Sequence, residues 1–195
     1  MITVEITADQ IEKAKDFAIR KQESSYKRLG EKEKQEQYQH LFIGKLTEFI
    51  GQEGLKIAKI PHCCPDKLKV VEEEFYKDVA DCILFPNTSR QLTADFKSAW
   101  QRFHRRILVP VDQYFNQKKD IYIGIRLHCV DAHPISTFPN FRRTADVHGW
   151  VNRAELHEPD ESSSRVFPAY WADLTDLHQL DELLKHNNKI RSTPA

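Results

Sequence analysis

Glycine is scarce in this chain. Six occur in 195 residues and no two are neighbours, so no glycine-rich loop is present to cradle nucleotide phosphates, and hydrolysis of the P-loop kind is not expected. There is no G-x-S-x-G elbow and no H-E-x-x-H, which removes the common serine hydrolase and zincin readings. No apolar run approaches the roughly 20 residues of a membrane-spanning helix. The first residues, MITVEITADQIEKAK, carry acids where an export signal has bases and then an apolar stretch, so none is expected. Cysteine is also sparse. Cys63, Cys64, Cys82 and Cys129 are too few and too unevenly spaced for a disulfide scaffold, and adjacent cysteines rarely bridge, which points to a reducing cytoplasm. Pro61-His62-Cys63-Cys64-Pro65 lacks the two spaced pairs of a structural zinc site, so buried or loop cysteines are the expectation. Net charge is absent too: 29 basic and 29 acidic residues cancel, so bulk charge does not drive binding to a polyanion.

What is present describes a soluble globular chain. Hydrophobic residues make up 40% and charged residues 30%, which excludes the disordered class. One domain over 1–195 is expected, with N-terminal helices in 1–54, a sheet core carrying the site in 78–156, and a C-terminal helix in 171–187. Thr7-Ala8-Asp9-Gln10 has capping-box spacing, and Ile11, Ala14, Phe17 and Ala18 follow at helical period. A second helix is expected from about Glu31 to Ile50, apolar at its end and stopped by Gly51 and Gly54, with Glu48 inside that apolar end. LKIAKIP (55–61) reads as a short strand, and PDKLKVVEEEFYK as a helix. DVADCILFP and RQLTADFKS alternate as strands joined by a turn at 87–89, and DIYIGIRLHCV and ADVHGWV are further strands. Asn152 caps a short helix, and TDLHQLDELLKH is a last amphipathic one. The sum is an α/β fold, a central mixed β-sheet flanked by helices.

The charged strand positions carry the chemistry. Asp95-Phe96-Lys97 ends a strand that follows directly on one carrying Asp81, and pairing of the two would bring Asp81, Asp95 and Lys97 to one pocket. Two carboxylates about 4 Å apart repel by roughly 4 kcal/mol at an effective dielectric near 20. They need a cation between them or a proton on one of them. Mg²⁺ suits such a pair because it takes oxygen ligands and is commonly held by one or two carboxylates plus phosphate oxygens. Lys97 would then orient or deprotonate a water or stabilise a phosphate. The plain alternative is a cross-strand ion pair worth under about 1 kcal/mol. Positive charge follows the triplet closely, at Arg102, Arg105 and Arg106 with His104, and again at Lys118 and Lys119, Arg142 and Arg143, Lys189 and Arg191. Most such clusters are solvated loop faces. Ser98 is placed to bond a DNA phosphate or its own backbone, and Gln113 to contact substrate or merely to line a loop.

Several stretches, in order, resemble the PD-(D/E)XK nuclease superfamily, and most of all its type II restriction endonuclease-like members. They are GKLTEFIG (44–51), ADCILFP with TADFKSA, RILVPVDQYF with DIYIGIRL, which look like the helix or loop that follows and the central strand, and VHGWVNRAEL, together covering roughly residues 40 to 157. The resemblance implies a restriction endonuclease-like core and Mg²⁺-dependent hydrolysis of double-stranded DNA, with Mn²⁺ able to substitute. It implies Asp81 and Asp95 as metal ligands, Lys97 serving the attacking water, and Glu48 as an auxiliary ligand. Ala80 stands where the name-giving motif has proline, and Asp78 competes with Asp81 for the upstream position. Arg102, Arg105 and Arg106 are the expected contacts to the DNA backbone, and cutting both strands of a palindrome implies a homodimer. A catalytically silent DNA-binding module and a structure-specific repair nuclease are the alternatives.

Overall fold

The computed structural model describes residues 1–25, 31–63, 80–89, 91–101, 103–130, 138–159 and 168–191. A central six-stranded sheet has the order β1-β7-β6-β4-β3-β2, and a separate two-stranded ribbon pairs β5 with β8. The strands are β1 (Ile2–Glu5), β2 (His62–Cys63), β3 (Cys82–Leu84), β4 (Leu92–Ala99), β5 (Arg106–Pro110), β6 (Ile121–Cys129), β7 (Phe141–Asn152) and β8 (Ala169–Asp173). Among the described residues only β4 and β6 run parallel and every other pair is antiparallel, so the sheet is mixed. The helices are α1 (Ala8–Ser25), α2 (Glu31–Ile57), α3 (Val111–Asn116) and α4 (Leu180–Arg191). Among the described residues no helix is long and apolar enough to cross a membrane.

The helix starts follow their local chemistry. Thr7 Oγ1 accepts from Gln10 N at 3.2 Å while Gln10 Oε1 accepts from Thr7 N at 2.9 Å, the reciprocal box that satisfies two orphan amides of α1. Asn152 and Glu155 form a second box on the 3-10 turn Arg153–Glu155. The glycines of α2 behave otherwise than expected. The helix does not stop at Gly51 or Gly54 but continues to Ile57, so no strand forms over 55–61; a two-residue strand, His62–Cys63, follows. A Cβ on Gly51 would lie 2.3 Å from the Phe96 ring, and one on Gly54 would lie 2.7 Å from Val147. Both glycines let a helix lie close on the sheet, and the backbone hydrogen bonds hold through them.

Two cores flank the sheet. The larger one packs α1, α2 and α4 through Ala14, Phe42, Leu46, Ile50 and Leu183 against Phe96, Ile123 and their neighbours. The smaller lies under the ribbon, where Ile107, Val109 and Leu177 meet Tyr122 and Val151. The expected apolar face of β6, Ile121, Ile123, Ile125 and Leu127, is fully buried. Three ranges differ from expectation. Within the described part of the strand expected over 78–86, Cys82–Leu84 is strand, and Phe85 and Asn87 adopt positive φ values of 52° and 63° that end the ladder in a turn. RILVP, expected as helix or loop, is strand β5. The C-terminal helix begins at Leu180, since residues 169–173 pair with β5 and His178 bridges to Trp150. Gly149 permits that bridge: its φ is +157°, and a Cβ there would sit 2.1 Å from the His178 carbonyl oxygen. The helix expected after Pro65 and the position of Asp78 lie outside the described residues.

Candidate active site

The site forms at a fork. β3 pairs with β4 only along Leu92–Ala94, after which the two chains part. The Asp81 amide donates to the Ala94 carbonyl at 3.1 Å, and the Asp81 side chain then turns inward so that Oδ2 accepts from the Phe96 amide at 2.8 Å. A carboxylate thus occupies the place where the next ladder bond would be. The Asp81 and Asp95 carboxyls lie against each other, and a hydrogen bond between them requires a proton on Asp81, because an ionised carboxylate only accepts. Lys97 Nζ lies 2.6 Å from Asp95 Oδ2 and donates to Gln113 Oε1 at 2.9 Å, which ties β4 to α3. Asp95 and Lys97 are only 17% and 16% exposed, so their pairing is shielded from water and salt.

The electrostatics follow from that shielding. Burial by itself pushes the Asp95 carboxyl up. The Lys97 ammonium, hydrogen bonds from the Asp81 and Lys97 side chains, and the charge of buried Lys119 outweigh it, holding Asp95 below its usual value. Tyr122 is the register partner of Asp95 on β6. Burial, and then the negative charge of Asp95, push its phenol up to about 12, against the opposing pull of Arg153. Its hydroxyl is buried without a hydrogen-bond partner among the described residues. The Lys97 ammonium sits 6.0 Å from the centre of the Tyr122 ring.

The hairpin therefore gathers Asp81, Asp95 and Lys97 as the alternation implied. The other anticipated residues are placed differently. Glu48 Oε2 lies 2.7 Å from Lys45 Nζ, and Lys45 is buried with its ammonium 4.6 Å from the centre of the Phe17 ring. Among the described residues no group of three or more His, Cys, Asp or Glu side chains is placed to hold a metal ion. Ser98 pairs with Ile125 and so shares the helix-bearing face with Phe96, opposite Lys97. Arg106 is engaged within the ribbon, its Nε 3.2 Å from Asp173 Oδ1 and its guanidinium 3.7 Å from the centre of the Trp171 ring. Arg105 is exposed, and Arg102 lies outside the described residues. Gln113 anchors Lys97. Cys63, Cys82 and Cys129 form no disulfide among the described residues. Tyr122 was not singled out from the sequence, and Lys119 only as part of a basic cluster. The signal for Tyr122 was the back of IYIGIRLHC, the positions between the isoleucines, which a parallel neighbour sets beside Asp95 and Lys97.

No protein-family model, no curated protein and no solved structure matches this chain.

Proposed function

We propose that the protein is a Mg²⁺-dependent DNA endonuclease with a restriction endonuclease-like core. One observation carries the reading: Asp81 and Asp95 are in contact at a strand fork, with Lys97 Nζ 2.6 Å from Asp95. The donor set suits a hard cation. Two carboxylates provide oxygen ligands, and Mg²⁺ keeps the rest of its sphere for waters and phosphate oxygens. Asp81 and Asp95 would hold the ion, and Glu48 would join only by leaving Lys45. When bound, Mg²⁺ or Mn²⁺ neutralises charge building on the phosphoryl oxygens and acidifies water. The chain's own residues do the placing. Two of the three Lys97 N–H bonds are directed at Asp95 and Gln113, which leaves one for the attacking water or a phosphate oxygen. Gln113 fixes the ammonium from α3, and the Phe96 amide fixes the rotamer of Asp81. The resemblance implies 5′-phosphate and 3′-hydroxyl products, and a homodimer if both strands of a palindrome are cut.

The second reading is a DNA-binding module of the same fold without turnover. Plasmid and genomic DNA incubated with Mg²⁺, Mn²⁺ or EDTA separates the two. Discrete metal-dependent fragments are expected from the wild type, with Lys97→Ala and Asp81→Ala slower by about 10²–10⁴-fold. Cleavage confined to branched or mismatched DNA would assign a structure-specific nuclease. Intact DNA under every condition, from folded protein, would sink the endonuclease and leave the module.

A further inference from the structure

Two neighbouring residues of α3 each hold a cation. Gln113 accepts from Lys97 Nζ at 2.9 Å, and the Tyr114 ring carries the Arg153 guanidinium 4.1 Å from its centre. Tyr170 of β8 stacks on Tyr114 with ring centres 3.6 Å apart and planes 12° from parallel, so Tyr170 fills one face of that ring and Arg153 the other. The strand register agrees with this placement. Asp95 pairs with Tyr122 and Tyr122 with Val151, and the ladder runs on to Arg153, whose amide donates to the Asp120 carbonyl at 3.1 Å. Arg153 stands two residues beyond Val151, the period that returns a side chain to the face of Tyr122 and Asp95. Burial and the Asp95 charge raise the Tyr122 phenol, and Arg153 is the cation that opposes them.

The guanidinium is held by the ring but not neutralised. Among the described residues its Nε is buried with no hydrogen-bond acceptor, and no carboxylate is in ion-pair contact with it. The acids beside it are engaged elsewhere. Asp120 Oδ2 accepts from Thr93 N at 2.7 Å and from the Thr93 hydroxyl at 2.8 Å. Glu155 Oε2 accepts from Asn152 N at 3.0 Å and lies 3.1 Å from His178 Nε2. A guanidinium already fixed on a ring has less freedom left to lose, and its N–H fork matches two oxygens of a phosphate. Phe115, the next residue of α3, stands edge-on to Tyr114 at 5.2 Å and to Tyr170 at 6.1 Å, and it is 53% exposed. An exposed ring and an unneutralised guanidinium on one aromatic stack match the two parts of a nucleotide, the base face and the phosphate.

We propose that Arg153, seated on the Tyr114–Tyr170 stack, binds a phosphate of a nucleic-acid strand beside the one at Asp81, Asp95 and Lys97, with a base of that strand on Phe115. The proposal rests on the reading of the carboxylate pair as a nucleic-acid site, but it does not require turnover. Helix α3 sets the spacing of the two phosphate contacts, because it holds both Lys97 and Arg153.

The test is the fluorescence anisotropy of a labelled oligodeoxynucleotide, single-stranded or annealed to its complement, titrated in EDTA at several salt concentrations. Arg153→Gln is expected to reduce the slope of log affinity against log salt by about 0.9 on the duplex or about 0.7 on the single strand. Arg153→Lys keeps the charge without the fork, so the slope should stay while the affinity falls. Lys13→Gln removes the same charge from α1, on the opposite side of the sheet, where Lys13 pairs with Asp9 at 2.8 Å, and is expected to leave the slope alone. Phe115→Ala is expected to weaken single-strand binding about tenfold through lost stacking, and unchanged binding would overturn the base contact. An unchanged slope in folded Arg153→Gln, an equal fall in Lys13→Gln, or a wild type that binds neither oligonucleotide would overturn the phosphate contact. If Arg153→Gln fails to fold, the wild type carries the test. Its Arg153 Nε–H resonance, assigned by its loss in Arg153→Lys, is expected to shift when the oligonucleotide is added, and an unmoved resonance would overturn the contact. Arg153-dependent binding by a protein that never cuts DNA with Mg²⁺ would uphold the contact and defeat the endonuclease reading. Cutting with an unchanged slope would do the reverse.

Discussion

Strand β4 has two sides that obey different rules. Toward α2 it presents Ala94 and Phe96, both buried, with Phe96 filling the space left by the missing side chain of Gly51. Toward the ribbon it presents Asp95 and Lys97, a shielded ion pair tied to Asp81 and Gln113. On the first side stability comes from shape, with a helix backbone resting against a ring. On the second, burial opposes the charges, and they persist because each has a partner. A strand that puts stability on one face is free to put chemistry on the other, because the pleat separates them residue by residue.

Three substitutions test that division. Phe96→Ala should have the largest effect on stability, about 3–5 kcal/mol, because Gly51 supplies no atoms to fill the hole. Urea denaturation measures it, and a loss under about 1 kcal/mol would mean the helix collapses onto the strand. Lys97→Met should cost less, about 1–2 kcal/mol, between the values for surface and fully buried pairs. It should also change the pH dependence. In the wild type the depressed Asp95 carboxyl adds stability that is present above its ordinary value of 3.8 and is lost as pH falls through the folded value. Without the ammonium the desolvation of Asp95 is less opposed, so that acid-side loss should shrink. An unchanged acid limb would show that Lys119 and Asp81 hold the carboxyl on their own. Tyr122→Phe should be the mildest, within about 0.5 kcal/mol at neutral pH, since the hydroxyl has no partner to lose. Its signature lies in alkali. A phenol raised from 10.0 to about 12 contributes stability that is complete below the unfolded value and lost as pH rises through the folded one. The variant should lack that loss, and a spectroscopic titration should show one fewer late-ionising tyrosine of the six.

Much of this was legible in the sequence where a residue's local chemistry decides its geometry. The Thr7–Gln10 box, the Asn152–Glu155 box and the alternation of β4 and β6 rest on contacts within a few residues, or on a period that the pleat imposes. The hairpin juxtaposition of Asp81 with Asp95 follows from the same rule. What was not legible depends on distant partners. Gly51 and Gly54 read as stops because nothing local says that Phe96 and Val147 will press on them. RILVP becomes a strand because the 169–173 segment arrives to pair with it. The Lys45–Glu48 pair, by contrast, is local, since residues three apart share a helix face.

The ribbon that covers the ionic face has a consequence for the order in which the chain folds. The fork, α3 and the start of β6 come from residues 81 to 122, so they can assemble through short loops. Strand β8 joins β5 from across the whole of β6 and β7, and closing that longer loop costs more entropy and comes later. On loop length alone, the aspartates, lysine and tyrosine meet while still wet, before β8 pairs with β5 above them.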